Sequence, residues 1–146
     1  MLVFWERTGQ SGNVRRIDAQ AEAVVSLCRS LADGGVQFML GWNDTEGNVC
    51  VLHEICAMED LVGVIPSLLR AAGRSSGVGG ASLLVQTRPD ALCGHMVYIG
   101  EEPCADVLQM QRLGHVTALL CGESPLEGSI PFDVGRYREQ LGEIDV

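Results

Sequence analysis

Residues 57–73, AMEDLVGVIPSLLRAAG, decide the fold. Met58, Leu61, Val62, Ile65, Leu68, Leu69 and Ala72 recur at three- and four-residue spacing, which is one face of a helix. Pro66 stands in the middle of that stretch. It lacks a donor and clashes one turn back. Two readings are open. A kinked helix spans the stretch, or residues 60–65 form a strand and Pro66 opens a short helix as its first residue.

On the N-terminal side, residues 36–42 and 48–56 are rich in Val, Phe, Trp and Ile, with a polar turn at 43–47 between them. They predict a hairpin. Residues 18–33 predict the clearest helix. Asp18 is the candidate N-cap, Glu22 lies in the first turn, and Val24, Val25, Cys28, Leu31 and Ala32 make an apolar stripe up to Gly34-Gly35. Residues 14–17 read as a short extended piece, 8–13 as a loop, and the apolar run 2–5 as an edge strand.

On the C-terminal side, the Gly/Ser-rich segment 74–80 must turn. Residues 83–87 and 95–99 read as strands, separated by turn chemistry at Arg88-Pro89-Asp90 and Gly94. A helix follows Pro103 and carries Val107, Leu108, Gln111 and Leu113. Residues 116–121 read as a strand, 122–131 as a loop, and the tail from Phe132 to Leu141 as a last helix. The order β-α-β-β-α-β-β-α-β-α predicts one α+β domain over residues 1–146. Its sheet is mixed and mainly antiparallel, with five to six strands and three to four helices.

All ten basic residues are arginine; the chain has no lysine. That excludes Schiff-base chemistry, which requires a deprotonatable amine. It also excludes the P-loop nucleotide site, whose lysine reaches the terminal phosphates. Arginine-favouring coding bias explains the absence without any function. Net charge is −9, split as −4 over residues 1–73 and −5 over 74–146. An acidic surface repels phosphate backbones, so nucleic acid is not the expected ligand. No apolar run approaches a membrane span. The opening MLVFWERTGQS has too short an apolar run for a secretory leader, so the six cysteines are expected to stay reduced in a cytoplasm.

Cys50-x-x-His53-x-x-Cys56 suggests a metal until strand geometry is applied. Alternation turns His53 away from both cysteines, and six strand residues separate the sulfurs by about 20 Å. No metal site is expected. Cys93-Gly94-His95 offers a thiol beside a base, but neighbours in sequence rarely face each other productively. No catalytic residue is assigned. Glu101-Glu102 with Asp106, and Glu59-Asp60, precede helical segments and suit their positive ends.

Arg74-x-x-Gly77-x-Gly79 resembles the R/Q-x-x-G-x-G/A signature of GNAT-type N-acetyltransferases. Val14-Arg15-Arg16-Ile17 with the 18–33 helix resembles that family's opening strand and helix. Val64-Ile65-Pro66 resembles the strand end before its cofactor loop. Glu102-Pro103-Cys104-Ala105, Leu108 and Leu113-Gly114-His115 resemble its late helix. The resemblance covers residues 14–120 and implies acetyl-CoA held by Arg74, Gly77 and Gly79, with the pyrophosphate on backbone N–H groups. It requires a strand within 57–73. Met110 stands where the family has a tyrosine, so no catalytic residue carries over.

No catalytic or metal pattern outweighs its plainer explanation. The expectation is therefore a small acidic cytoplasmic protein-binding module, an immunity-type inhibitor or a dedicated chaperone or adaptor, that covers a basic partner. Its contact acids are expected to be Asp44, Glu46, Glu59, Asp60, Glu101, Glu102 and Asp106. The alternative is the acyl-CoA-dependent enzyme or a non-catalytic relative of it.

Overall fold

The computed structural model of the chain describes residues 1–44, 46, 49–71, 73, 77–92, 94–122 and 128–132. Residues 57–73 resolve in favour of the helix. Helix α2 runs Met58–Arg70 with Pro66 inside it. Leu61 and Leu68, seven residues apart, are fully buried, and Met58, Val64 and Ile65 pack on the same core. Burying two leucines contributes about 3–6 kcal/mol, whereas an interior proline costs about 3 kcal/mol. The stripe outweighs the break. Asp60 completes the start by accepting the N–H groups of Cys56 and Ala57, each at 3.0 Å.

Around α2 the chain builds one six-stranded sheet. Its strands are β1 (Leu2–Trp5), β2 (Phe38–Asp44), β3 (Val49–Ile55), β4 (Met96–Gly100), β5 (Val116–Leu120) and β6 (Ile130–Pro131). Their order across the sheet is β3-β2-β1-β4-β5-β6. The β2–β3 hairpin is antiparallel as expected, pairing Phe38 with Ile55 and Asp44 with Val49. The other four pairings are parallel. The fold is thus a single α+β arrangement with a mixed sheet, but the mainly antiparallel expectation fails.

The strand β1 is also central, not an edge. All four of its residues are buried, as are all five of β4. A continuous apolar run is what a parallel strand covered on both faces requires, and an edge strand would alternate. Alternation now divides two cores. Val3 and Trp5 face the core shared with α2 and with helix α1 (Val14–Asp33). Leu2 and Phe4 face the core shared with helices α3 (Gly80–Thr87) and α4 (Ala105–Arg112).

Two local expectations are corrected. Residues 14–17 are the first turn of α1, not a strand. Asn13, not Asp18, is the N-cap: its Oδ1 accepts from the N–H groups of Arg15 and Arg16. Residues 83–87 lie in α3 instead of a strand. Leu83 and Leu84 are buried there, while Val85, Gln86 and Thr87 are exposed. Such one-sided burial over five residues follows a helix, and a strand would alternate. A short 3-10 turn at Pro89–Leu92 leads to β4. The expected last helix at 132–141 falls mostly outside the described residues.

Candidate functional site

The order of strands reverses direction at the β1/β4 boundary, because β1 leads through α1 to β2 on one side while β4 and β5 extend the other. In open parallel sheets, ligands gather beyond the carboxyl ends at such a reversal. Here that place is built by the residues just after β1 and β4.

Immediately after β1 the sequence turns from LVFW to ERTGQS, and most of the polar side chains stay buried. Glu6, Arg7, Thr8 and Gln10 are all buried, as are Asn43 at the end of β2, Gln20 on α1 and Glu101 after β4. Buried polar groups must find partners, and these find one another. Asn43 Oδ1 accepts the Arg7 backbone N–H, and Asn43 Nδ2 donates to Thr8 Oγ1 at 2.8 Å. Thr8 Oγ1 in turn donates to the Val78 carbonyl at 3.1 Å. Gln20 Oε1 accepts from Trp5 Nε1 at 3.0 Å and from Gln10 Nε2 at 2.9 Å. Gln20 Nε2 donates back to Gln10 Oε1 at 3.1 Å. The result is a rigid polar layer that ties β1, β2 and α1 to the segment before α3.

Glu101 closes the other side. Its Oε2 accepts the Ser11 N–H at 3.0 Å and its Oε1 meets Arg16 Nη1 at 3.0 Å. Burial pushes its carboxyl pKa up, but the Ser11 hydrogen bonds and the Arg16 charge prevail, and the group sits below its usual range. Glu101 therefore holds the loop after β1 in place. It is not the surface acid expected from the sequence.

Glu6 is different. Both its oxygens accept from the Gly80 N–H, at 2.8 and 2.7 Å, so the carboxylate occupies the N-terminus of α3. A Cβ at Gly80 would collide with that carboxylate and with the Phe4 ring. Burial pushes the Glu6 carboxyl up to about 8, with the Gly80 N–H and the Tyr98 hydroxyl opposing. Gly79 is the N-cap of the same helix, and a Cβ there would lie 2.6 Å from Cys104 Cβ. Gly77 precedes it with φ of 134°. Arg74 lies outside the described residues. The helix start that the acyltransferase resemblance assigns to a pyrophosphate thus already carries an internal carboxyl group. The strand that the resemblance needs within 57–73 is a helix.

The remaining acids divide between the two ends of the sheet. Asp44 ends β2, Glu46 follows it in the turn, Glu102 follows β4, and Asp106 lies in the first turn of α4. These four, with the buried Glu101, share the carboxyl end of the parallel strands. Glu59 and Asp60 open α2 after Ile55, which pairs with Phe38 at the start of β2. They lie at the opposite end, and Asp60 is engaged in capping. The seven acids do not form a single face.

Among the described residues, the thiols show no activation. Burial raises Cys28 to about 12 and Cys50 and Cys121 to about 11, and it raises Cys104 as well. Cys50 Sγ donates to the Gly80 carbonyl on one side of the sheet, while His53 stacks on Trp42 on the other, with centroids 5.4 Å apart. Cys56 lies exposed beyond the strand end. Among the described residues, no three His, Cys, Asp or Glu side chains gather as a metal-ligating group. His95 Nε2 is 2.6 Å from Thr117 Oγ1; Cys93 lies outside the described residues. Among the described residues, no helix is long and apolar enough to cross a membrane.

The polar layer was missed in the sequence because ERTGQS reads as an ordinary loop. The available signal was its position directly after a fully apolar run, at the carboxyl end of a buried strand. No family model matches the chain, and no curated protein matches its sequence.

Proposed function

We propose that the chain is a protein-binding module that meets a basic partner with the carboxyl-end rim of its sheet. The observation that carries this reading is the grouping of Asp44, Glu46, Glu102 and Asp106 on one end, above a layer of mutually hydrogen-bonded buried side chains. Of the described arginines at that end, Arg16 is paired with Glu101 and Arg7 is buried, which leaves Arg15 and, at the C-terminal end of α2, Arg70 exposed against the four acids. The rim is therefore net negative and rigidly backed. A preorganised charged surface raises association rate and selectivity more than raw affinity. An inhibitor, a chaperone or an adaptor would use it in the same way, in a cytoplasmic setting and without a cofactor.

The test compares reversal at the rim, Glu46→Arg with Asp106→Arg, against reversal at the opposite end, Glu59→Arg. Association with a captured basic partner is followed at low and moderate salt. Rim reversal slows association at low salt, and the difference narrows as salt screens it. Equal slowing by both reversals discards the rim. A rise in melting temperature on adding millimolar acetyl-CoA to the native chain would instead favour the acyl-CoA reading.

A further inference from the structure

Arg7 is buried, with 6 % of its surface exposed. It follows β1 at the carboxyl end, on the same side as Trp5, and its Cζ lies over the Trp5 ring, 4.0 Å from the centroid. Nη2 donates to the Ala71 carbonyl at 2.6 Å, at the C-terminal end of α2. Nε and Nη1 have no hydrogen-bond partner and no contact with solvent. The three N–H groups carried by Nε and Nη1 are thus unpaired in the interior.

The charge is as incomplete as the hydrogen bonding. A helix C-terminus presents about half a negative charge, so α2 offsets about half of the guanidinium. Burial is the only influence moving its pKa, and it moves it down. No carboxylate of the described residues is within ion-pair distance of it. A buried, fully ionised arginine is stable when it meets an oxyanion, the partner its planar donors fit best.

Gly73 is exposed, and a Cβ there would stand 3.2 Å from the Arg7 carbonyl and 3.5 Å from Nη2. One edge of the guanidinium, at Nη2, therefore lies against a residue without a side chain.

We propose that Arg7, backed by Trp5 and against Gly73, is a receptor for one oxyanion, a phosphoryl or a carboxylate group, entering beside the C-terminus of α2. The site lies at the same end of the sheet as the acidic rim but takes the opposite charge and uses a buried group.

Thermal unfolding of the full chain in sodium phosphate, sodium acetate and sodium chloride at matched ionic strength tests it. At least one oxyanion raises the melting temperature over chloride by about 5 °C at saturation, and Arg7→Met abolishes the rise. A rise with phosphate alone identifies a phosphoryl ligand; a rise with acetate alone identifies a carboxylate. No rise over chloride, or a rise that persists in Arg7→Met, overturns the site. Should Arg7→Met fail to fold, nitrogen NMR of the native chain decides. The Arg7 Nε resonance, marked by the Trp5 ring current, shifts on titration with the effective anion, and an unmoved resonance overturns the site equally.

Discussion

Both carboxylate oxygens of Glu6 share one donor, the backbone N–H of Gly80, 74 residues away in sequence. That N–H and the Tyr98 hydroxyl, both neutral, are poor compensation for a buried charge. Burial accordingly dominates, and the carboxyl sits near 8 against an ordinary 4.5. The folded chain binds a proton there between those two values and the unfolded chain does not. Stability from this group is therefore complete below about pH 4.5 and is lost as pH rises towards 8. The slope reaches about 1.4 kcal/mol per pH unit at most. Urea unfolding from pH 5 to 8 should show the decline, and Glu6→Gln should flatten it while raising stability at pH 8. A Glu6→Gln variant as pH-sensitive as the native chain would refute the assignment.

Gly80 pays for this arrangement in helix propensity. Replacing it with alanine should gain up to about 1 kcal/mol on that account. The new Cβ, however, would meet both the Glu6 carboxylate and the Phe4 ring. Neither can retreat, because Phe4 is fully buried in a central strand. Overpacking costs about 1–3 kcal/mol. Gly80→Ala should be a net destabilisation in urea titration; a stabilised variant would mean that α3 shifts freely on the sheet.

Pro66 is the reverse case, a residue tolerated against the local rule. It lies on the exposed face of α2 and leaves the Val62 carbonyl without its helical donor. Alanine restores the donor and gains up to about 3 kcal/mol of propensity, less about 1 kcal/mol for the greater freedom of the unfolded chain. Pro66→Ala should stabilise by about 1–2 kcal/mol. Calorimetry showing a loss would indicate that the bend at Pro66 is needed to seat Leu61 and Leu68 together.

What could be read from the sequence follows from which signals are local. The β2–β3 hairpin was legible because its two strands and turn are contiguous. Helix α1 was legible through its stripe from Val24 to Ala32, although Asn13 and the first turn were not, since Val14 to Ile17 also suits a strand. The parallel core was misjudged because LVFW at 2–5 and MVYIG at 96–100 are too short to show that both faces are covered; only their pairing across 94 residues reveals it. The same distance hid the site. Glu6 meets Gly80, Thr8 meets Val78, and Ser11 meets Glu101, and no spacing motif records such contacts. Of the acids proposed from the sequence, Asp44, Glu46, Glu102 and Asp106 do share one end. Glu59 and Asp60 fell at the other because β3 runs antiparallel and delivers α2 to the amino end.

Glu101 provides the contrast to Glu6. Two donors meet it, the Ser11 N–H and the Arg16 guanidinium, and its pKa falls below the ordinary value. The sign of its pH dependence is therefore opposite: its contribution is present above the ordinary carboxylate pKa and is lost as pH falls through the lowered one. Glu101→Gln keeps the shape but removes the charge. It leaves Arg16 without its Glu101 ion pair and weakens the anchor on the loop after β1. The cost at neutral pH should be about 1.5–3 kcal/mol, the range for a hydrogen bond to a charged group. It should shrink as pH falls through the lowered carboxyl pKa, where the native group also becomes neutral. Amide hydrogen exchange gives the local readout: Ser11 should lose protection in Glu101→Gln, whereas the Gly80 amide, held by Glu6, should not. Equal loss at both amides would mean that the variant has loosened the whole sheet end, and Glu101 would then be no specific anchor of that loop.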